Sequence, residues 1–233
     1  MILLPNCCEY MSGTPKFIPF TKESLSNDEM IARSKQFYLE MNKRRSIRFF
    51  SSKTFPKEII ENIVLTAGTA PSGANKQPWT YVIVDDPVLK KQIREAAEHE
   101  EKEFYDNRIT EEWRDDLSHL GTGWEKPYLE IAPYLIVAFK QDYGLDKQGN
   151  KSKHYYVNES MGISLGLLIT AIHNAGLVTL THTPNPMTFI RDILNRPKNE
   201  KPVVILPVGF PSSDAVVPNI YRKKLEEILI WNK

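Results

Sequence analysis

Apolar and polar residues alternate along this chain with two different periods. Met30, Ser34, Phe37 and Met41 recur at helical spacing after Asn27, which predicts a helix opening at Asp28 with Asn27 as its cap. Ile59, Ile60, Ile63, Val64 and Ala67 form a second helical stripe behind Pro56, a residue suited to a helix start. "WTYVIV", "PYLIVAFK" and "PVVILPVGFP" are short apolar runs rich in β-branched residues and read as strands. Asp86-Pro87 opens a helix that turns strongly polar, and the polar character persists through "ITEEWRDDLSHLGTGWEKPYLE". That stretch suits a surface lid over about residues 98–126. From His154 to Ala175 the chain is apolar almost all round, as in a buried helix. "GLVTLTHTP" predicts a short strand entering a turn, "MTFIRDILNRP" a short helix, and "DYGLDKQGNKSK" a loop. No repeat or linker divides the sequence, so an arm over residues 1–26 and one α+β domain over 27–233 are expected.

Composition narrows the class. Thirty Lys and Arg against 29 Asp and Glu leave a net charge of +1, which argues against a general nucleic-acid binder. No run approaches the roughly 20 apolar residues of a membrane helix, so no membrane partner and a cytoplasmic location are expected. Cys7 and Cys8 are adjacent and too few for a disulfide framework, and they read as reduced thiols in a tail.

Candidate chemistry is scattered. Arg44, Arg45, Ser46 and Arg48 could surround a phosphate, because guanidinium forks and a short hydroxyl match its oxygens. Taken alone, the run reads as a solvated helix end, where cations are favoured. Arg222, Lys223 and Lys224 form a second basic run that could converge on the same anion. The five histidines show no HExxH spacing, and no P-loop or GxGxxG is present. His182 sits among hydroxyls in "TLTHTP", which could serve a ligand or satisfy their own backbone. "APSGANKQPW" is long, stiff and aromatic for a helix-to-strand connection, the character of a binding loop.

In order, "RRSIRFF", "TAGTAPSGANKQPW", "NAGLVTLTHTP" and "LPVGFPSSDAVVP" followed by "RKKL" resemble the FMN-dependent nitroreductase superfamily, and within it the iodotyrosine deiodinase branch. The resemblance runs from about Asn27 to the C-terminus. It implies a three-layer α+β fold with a central mixed, mainly antiparallel sheet flanked by helices, in an intertwined homodimer. It implies FMN as cofactor, with Arg44, Arg45, Ser46 and Arg48 in its first binding segment, Arg44, Ser46 and Arg222 on the phosphate and Arg48 at the flavin N1/C2 edge. Thr181 and Thr183 match its hydroxyl turn, with Thr181 near N5, and Ser72 matches a loop reaching the flavin from the partner subunit. The Ala74 N–H matches a donor to the substrate's phenolate. Glu101, Tyr105 and Lys126 match a grip on an amino-acid zwitterion. His182 stands where the family commonly has a threonine. The implied reaction is reductive dehalogenation of a halotyrosine, fed by an external electron donor such as NADPH. The alternatives are a broad NAD(P)H-dependent nitro or quinone reductase, which needs no zwitterion grip, and a non-enzymatic flavin-binding protein.

Overall fold

In a computed structural model of the chain, residues 16–232 are described. Cys7 and Cys8 lie outside them. The chain divides into two units, one ending at Glu40 and one running from Met41.

The first unit carries most of helix α1 (Asn27–Asn42). Its cap is Ser26 rather than Asn27. The Ser26 amide donates to Glu29 Oε2 at 2.8 Å, and the Glu29 amide donates back to Ser26 Oγ at 3.3 Å. This is a reciprocal capping box, which outcompetes a lone asparagine because it satisfies two amides at once. The expected apolar face of α1 is not buried, since none of the helix's residues is.

The second unit is built on a four-stranded sheet in the order β1 (Trp79–Val84), β2 (Tyr134–Gln141), β6 (Glu200–Gly209), β5 (Val178–Thr179). All three strand pairs of this sheet are antiparallel, and a parallel bridge joins Ser46 to Thr179. Along β2 every residue from Leu135 to Phe139 is fully buried, which explains a run with no polar face. Alternate residues enter different cores. Tyr134, Ile136 and Ala138 pack with α2 (Lys57–Gly68) and α6 (Val157–Asn174). Leu135, Val137 and Phe139 pack with α3 (Pro87–Glu103), α5 (Tyr128–Ile131) and α7 (Thr188–Ile193). Helices therefore cover both faces of the sheet, and each fully buried large side chain contributes about 1.5–3 kcal/mol.

The α2 stripe meets its expectation, with Ile60, Ile63 and Ala67 buried and Ile59 and Val64 packed beside them. Asp86 caps α3 by accepting from the Leu89 amide at 2.8 Å, with Pro87 in the first turn. The expected loop after β2 is instead a hairpin of β3 (Tyr143–Leu145) and β4 (Lys151–Lys153). Asp146 closes its turn by accepting from the amides of Gln148 and Asn150 at 2.9 and 2.8 Å, and Gly149 supplies the left-handed φ of 83°. The polar stretch after α3 continues as a π-turn at Phe104–Arg108 and then α4 (Glu111–Ser118). Among the described residues no helix is long and apolar enough to cross a membrane.

Candidate active site

Two neighbouring cavities share one residue, Arg48.

The first cavity, of about 300 Å³, brings together Arg44, Arg45, Ser46, Arg48 and Arg222, and no carboxylate lines it. The chain reaches it in extended form, pinned where the Ile47 amide donates to Thr179 O at 3.1 Å. Arg222 arrives from far along the sequence. Its guanidinium donates to the carbonyl of Asn42 at 3.2 Å and to that of Arg44 at 2.7 Å, so it is fixed by the backbone of the other basic run. Arg45 donates to the carbonyl of Pro218. Burial holds the Arg44 pKa below its ordinary value, and the charges of Arg222 and Arg45 push it the same way. A cluster of guanidiniums without a lining carboxylate favours an anion with several acceptor oxygens.

The second cavity, of about 200 Å³, is polar on one side and apolar on the other. Glu101 comes from the last turns of α3, Tyr105 from the π-turn, and Lys126 from the segment before α5. Lys126 Nζ lies 3.3 Å from Glu101 Oε2 and also donates to the Gly123 carbonyl. The Lys126 side chain is only 3% exposed, and burial depresses its pKa against the opposing pull of Glu101. Glu98 holds the Lys126 backbone by accepting from its amide at 2.6 Å, and Arg94 steadies Glu98 at 2.9 Å. The Tyr105 hydroxyl reaches the Thr122 carbonyl at 3.5 Å, and burial raises its pKa. Phe104, Trp113 and Leu117 form the apolar wall, with Phe104 and Trp113 edge-to-face at 4.8 Å. Such a wall suits an aromatic ring.

After β5 the backbone keeps its two-residue alternation. Thr181 and Thr183 are exposed and His182 between them is buried. His182 exchanges both backbone hydrogen bonds with Ile205 of β6, each 2.9 Å long, so its position is set by the core. Sequence reasoning left His182 open and missed Tyr128, whose hydroxyl lies 3.4 Å from His182 Nδ1. The "TLTHTP" alternation was the available signal for the first. The second had none, because 54 residues separate the pair.

Ser72 and Ala74 line neither cavity. Their loop is held by its own backbone. The amides of Asn75 and Lys76 donate to the carbonyls of Ser72 and Gly73, and that of Gln77 to Ser72 Oγ at 2.8 Å. The Gly73 amide reaches Ser160 Oγ at 3.4 Å. The Ala74 amide has no acceptor among the described residues, and Ala74 itself is left-handed at φ 50°. Gly73 answers a packing demand, since a Cβ there would sit 2.6 Å from the Tyr155 carbonyl oxygen.

Comparison with known proteins adds to this geometry. The nitroreductase family profile matches residues 41–210. An iodotyrosine deiodinase of Haliscomenobacter hydrossis is 51% identical over 94% of this chain and 99% of its own length. Iodotyrosine deiodinase 1 of Homo sapiens is 47% identical over 91% of this chain and 74% of its own. Among solved structures, an iodotyrosine deiodinase bound to FMN and 3-iodo-L-tyrosine superposes with a TM-score of 0.70 at 33% identity, covering 84% of this chain and 99% of that one.

Proposed function

Because this chain belongs to the nitroreductase family, we propose that it is an FMN-dependent oxidoreductase that reductively dehalogenates halotyrosines, iodotyrosine to tyrosine plus iodide. One observation carries the reading: an ion pair of half-buried Glu101 and buried Lys126 lies in a cavity that shares Arg48 with a cavity lined by arginines. The deiodinase relatives at about half identity support the same assignment.

The residues fit the cofactor. FMN ends in a phosphate, and the Arg44, Arg45, Ser46 and Arg222 cluster presents cations and a hydroxyl with no lining carboxylate. These four would hold the phosphate, and Arg48, shared by the two cavities, would serve the flavin together with the hydroxyls of Thr181 and Thr183, which line the second cavity. When bound, FMN supplies the electrons that cleave the carbon–halogen bond.

The protein does the rest by orientation. Glu101 takes the substrate ammonium and Lys126 its carboxylate, while the Tyr105 hydroxyl adds a hydrogen bond. The aromatic ring lies against Phe104, Trp113 and Leu117, where water is excluded and charge interactions strengthen. The unpaired Ala74 N–H donates to the phenolate oxygen, from the partner subunit of a homodimer. Ser72 and Ala74 lining neither cavity of their own chain supports that arrangement, as do the exposed Tyr221, Leu225, Ile228, Ile230 and Trp231 near the C-terminus. An external electron donor such as NADPH, acting directly or through a reductase, restores the reduced cofactor.

The test is to load the protein with FMN, titrate it with 3-iodotyrosine while following flavin fluorescence, and then measure iodide release after dithionite reduction. Saturable quenching with stoichiometric iodide is expected. Reduction of nitroaromatics or quinones without iodotyrosine binding would assign the general reductase activity instead.

A further inference from the structure

Glu101 has two buried neighbours, one at each of its oxygens. Oε2 faces Lys126 Nζ at 3.3 Å, and Oε1 faces His182 Nδ1 at 4.0 Å. Of the two, Lys126 is the closer partner. A zwitterion changes that, because Lys126 must turn to the incoming carboxylate and release Glu101. A carboxylate left without an anchor in a buried site would lose its aim or its charge.

His182 is built to be the remaining anchor. The side chain is only 4% exposed and its backbone is locked to Ile205 in both directions. Its ring stands edge-on to Tyr128, with centroids 5.9 Å apart, so the ring plane is fixed too. Nε2 is buried without a hydrogen-bond partner among the described residues. A neutral imidazole carries one N–H. On Nε2 that proton would be a buried donor with no acceptor, a costly arrangement. On Nδ1 it meets the Tyr128 oxygen at 3.4 Å, with Glu101 Oε1 next at 4.0 Å, so the carboxylate has only to close that last gap to accept it. Burial, with the Lys126 charge beside it, keeps the ring neutral, its pKa pushed down to about 3. A neutral ring can hold a carboxylate without competing for it as a counter-ion, so Glu101 stays available to an ammonium.

We propose that His182 is a positioning residue, whose Nδ1–H holds Glu101 toward the cavity when Lys126 leaves it for the substrate's carboxylate. It thereby sets selectivity for amino-acid zwitterions over plain halophenols. The proposal rests on the halotyrosine reading above.

Two polar variants separate the ring's nitrogens. His182→Asn places an amide near the Nδ1 position, and His182→Gln places it near Nε2. Dissociation constants for 3-iodotyrosine and for 2-iodophenol, which has no ammonium or carboxylate, are read by flavin fluorescence on the FMN-loaded proteins. The ratio of the two constants should stay within threefold of wild type in His182→Asn and fall at least tenfold in His182→Gln. In a Glu101→Gln background, the same His182→Gln change should move the ratio less than threefold. Equal loss of both ligands, equal effects of Asn and Gln, or full additivity with Glu101→Gln would each overturn the role of His182. Wild-type protein that binds FMN but prefers 2-iodophenol would instead overturn the halotyrosine reading itself.

Discussion

Glu101 and Lys126 pair with each other at 3.3 Å inside the cavity, Lys126 almost wholly and Glu101 mostly out of solvent. On the proposed reading a substrate zwitterion would exchange this one internal pair for two. Glu101→Gln should therefore weaken 3-iodotyrosine binding by about 2–5 kcal/mol, because the substrate ammonium loses a desolvated partner. Nitroaromatic reduction has no ammonium to lose and should change much less. Titration by flavin fluorescence against a nitroaromatic turnover assay reads both.

Arg222 should govern cofactor retention from far along the chain. Its guanidinium is already fixed to the carbonyls of Asn42 and Arg44. Arg222→Ala should weaken FMN binding by about 1.5–3 kcal/mol, the contribution of a hydrogen bond to a charged group. Equilibrium dialysis of FMN checks it, and affinity equal to wild type would remove Arg222 from the phosphate site.

Gly73→Ala should destabilise the protein by about 1–3 kcal/mol through overpacking. The added carbon would meet backbone, the Tyr155 carbonyl at 2.6 Å, so no side-chain rotation relieves it. Urea unfolding measures the loss. Because Ala74 follows directly, halotyrosine affinity should drop with it.

Acid should unfold this protein partly through one imidazole. His182 stays neutral when folded down to about 3, while the unfolded residue takes up a proton at its ordinary value of 6.5. The unfolded state therefore binds more protons across that window, and stability falls as pH drops through it, by about 1.4 kcal/mol per unit. Above 6.5 the contribution is complete. His182→Asn and His182→Gln should show a shallower loss between pH 6.5 and 4.5 in urea titrations, whatever their stability at pH 7.

Much of the scaffold was legible because it is local. The runs "WTYVIV" and "PYLIVAFK" are strands where hydrophobicity and β-branching agree, and Asp86-Pro87 starts a helix by capping chemistry that needs no tertiary partner. The hairpin of β3 and β4 was not legible. Its strands are three residues each, Tyr-Gly-Leu and Lys-Ser-Lys, too short for a period to show, and Asp146 forms the turn through side-chain bonds. The burial of Lys126 was also hidden, since its neighbours Glu98 and Glu101 come from another element 28 and 25 positions away. The convergence of Arg222 on Arg44 could be suspected from two basic runs, but only the fold joins residues 178 positions apart.

The alternation of β2 between two cores divides labour across the sheet. Tyr128, Leu180, Ile93 and Ala97 belong to the core that includes Leu135, Val137 and Phe139, and Tyr128 and Leu180 line the cavity of Glu101 and His182. The opposite core, under α2 and α6, contributes none of its buried residues to the Glu101 cavity. Mutations that reshape the Glu101 cavity can thus accumulate on one face while the other keeps the chain folded. A lineage could exchange its substrate without rebuilding its foundation.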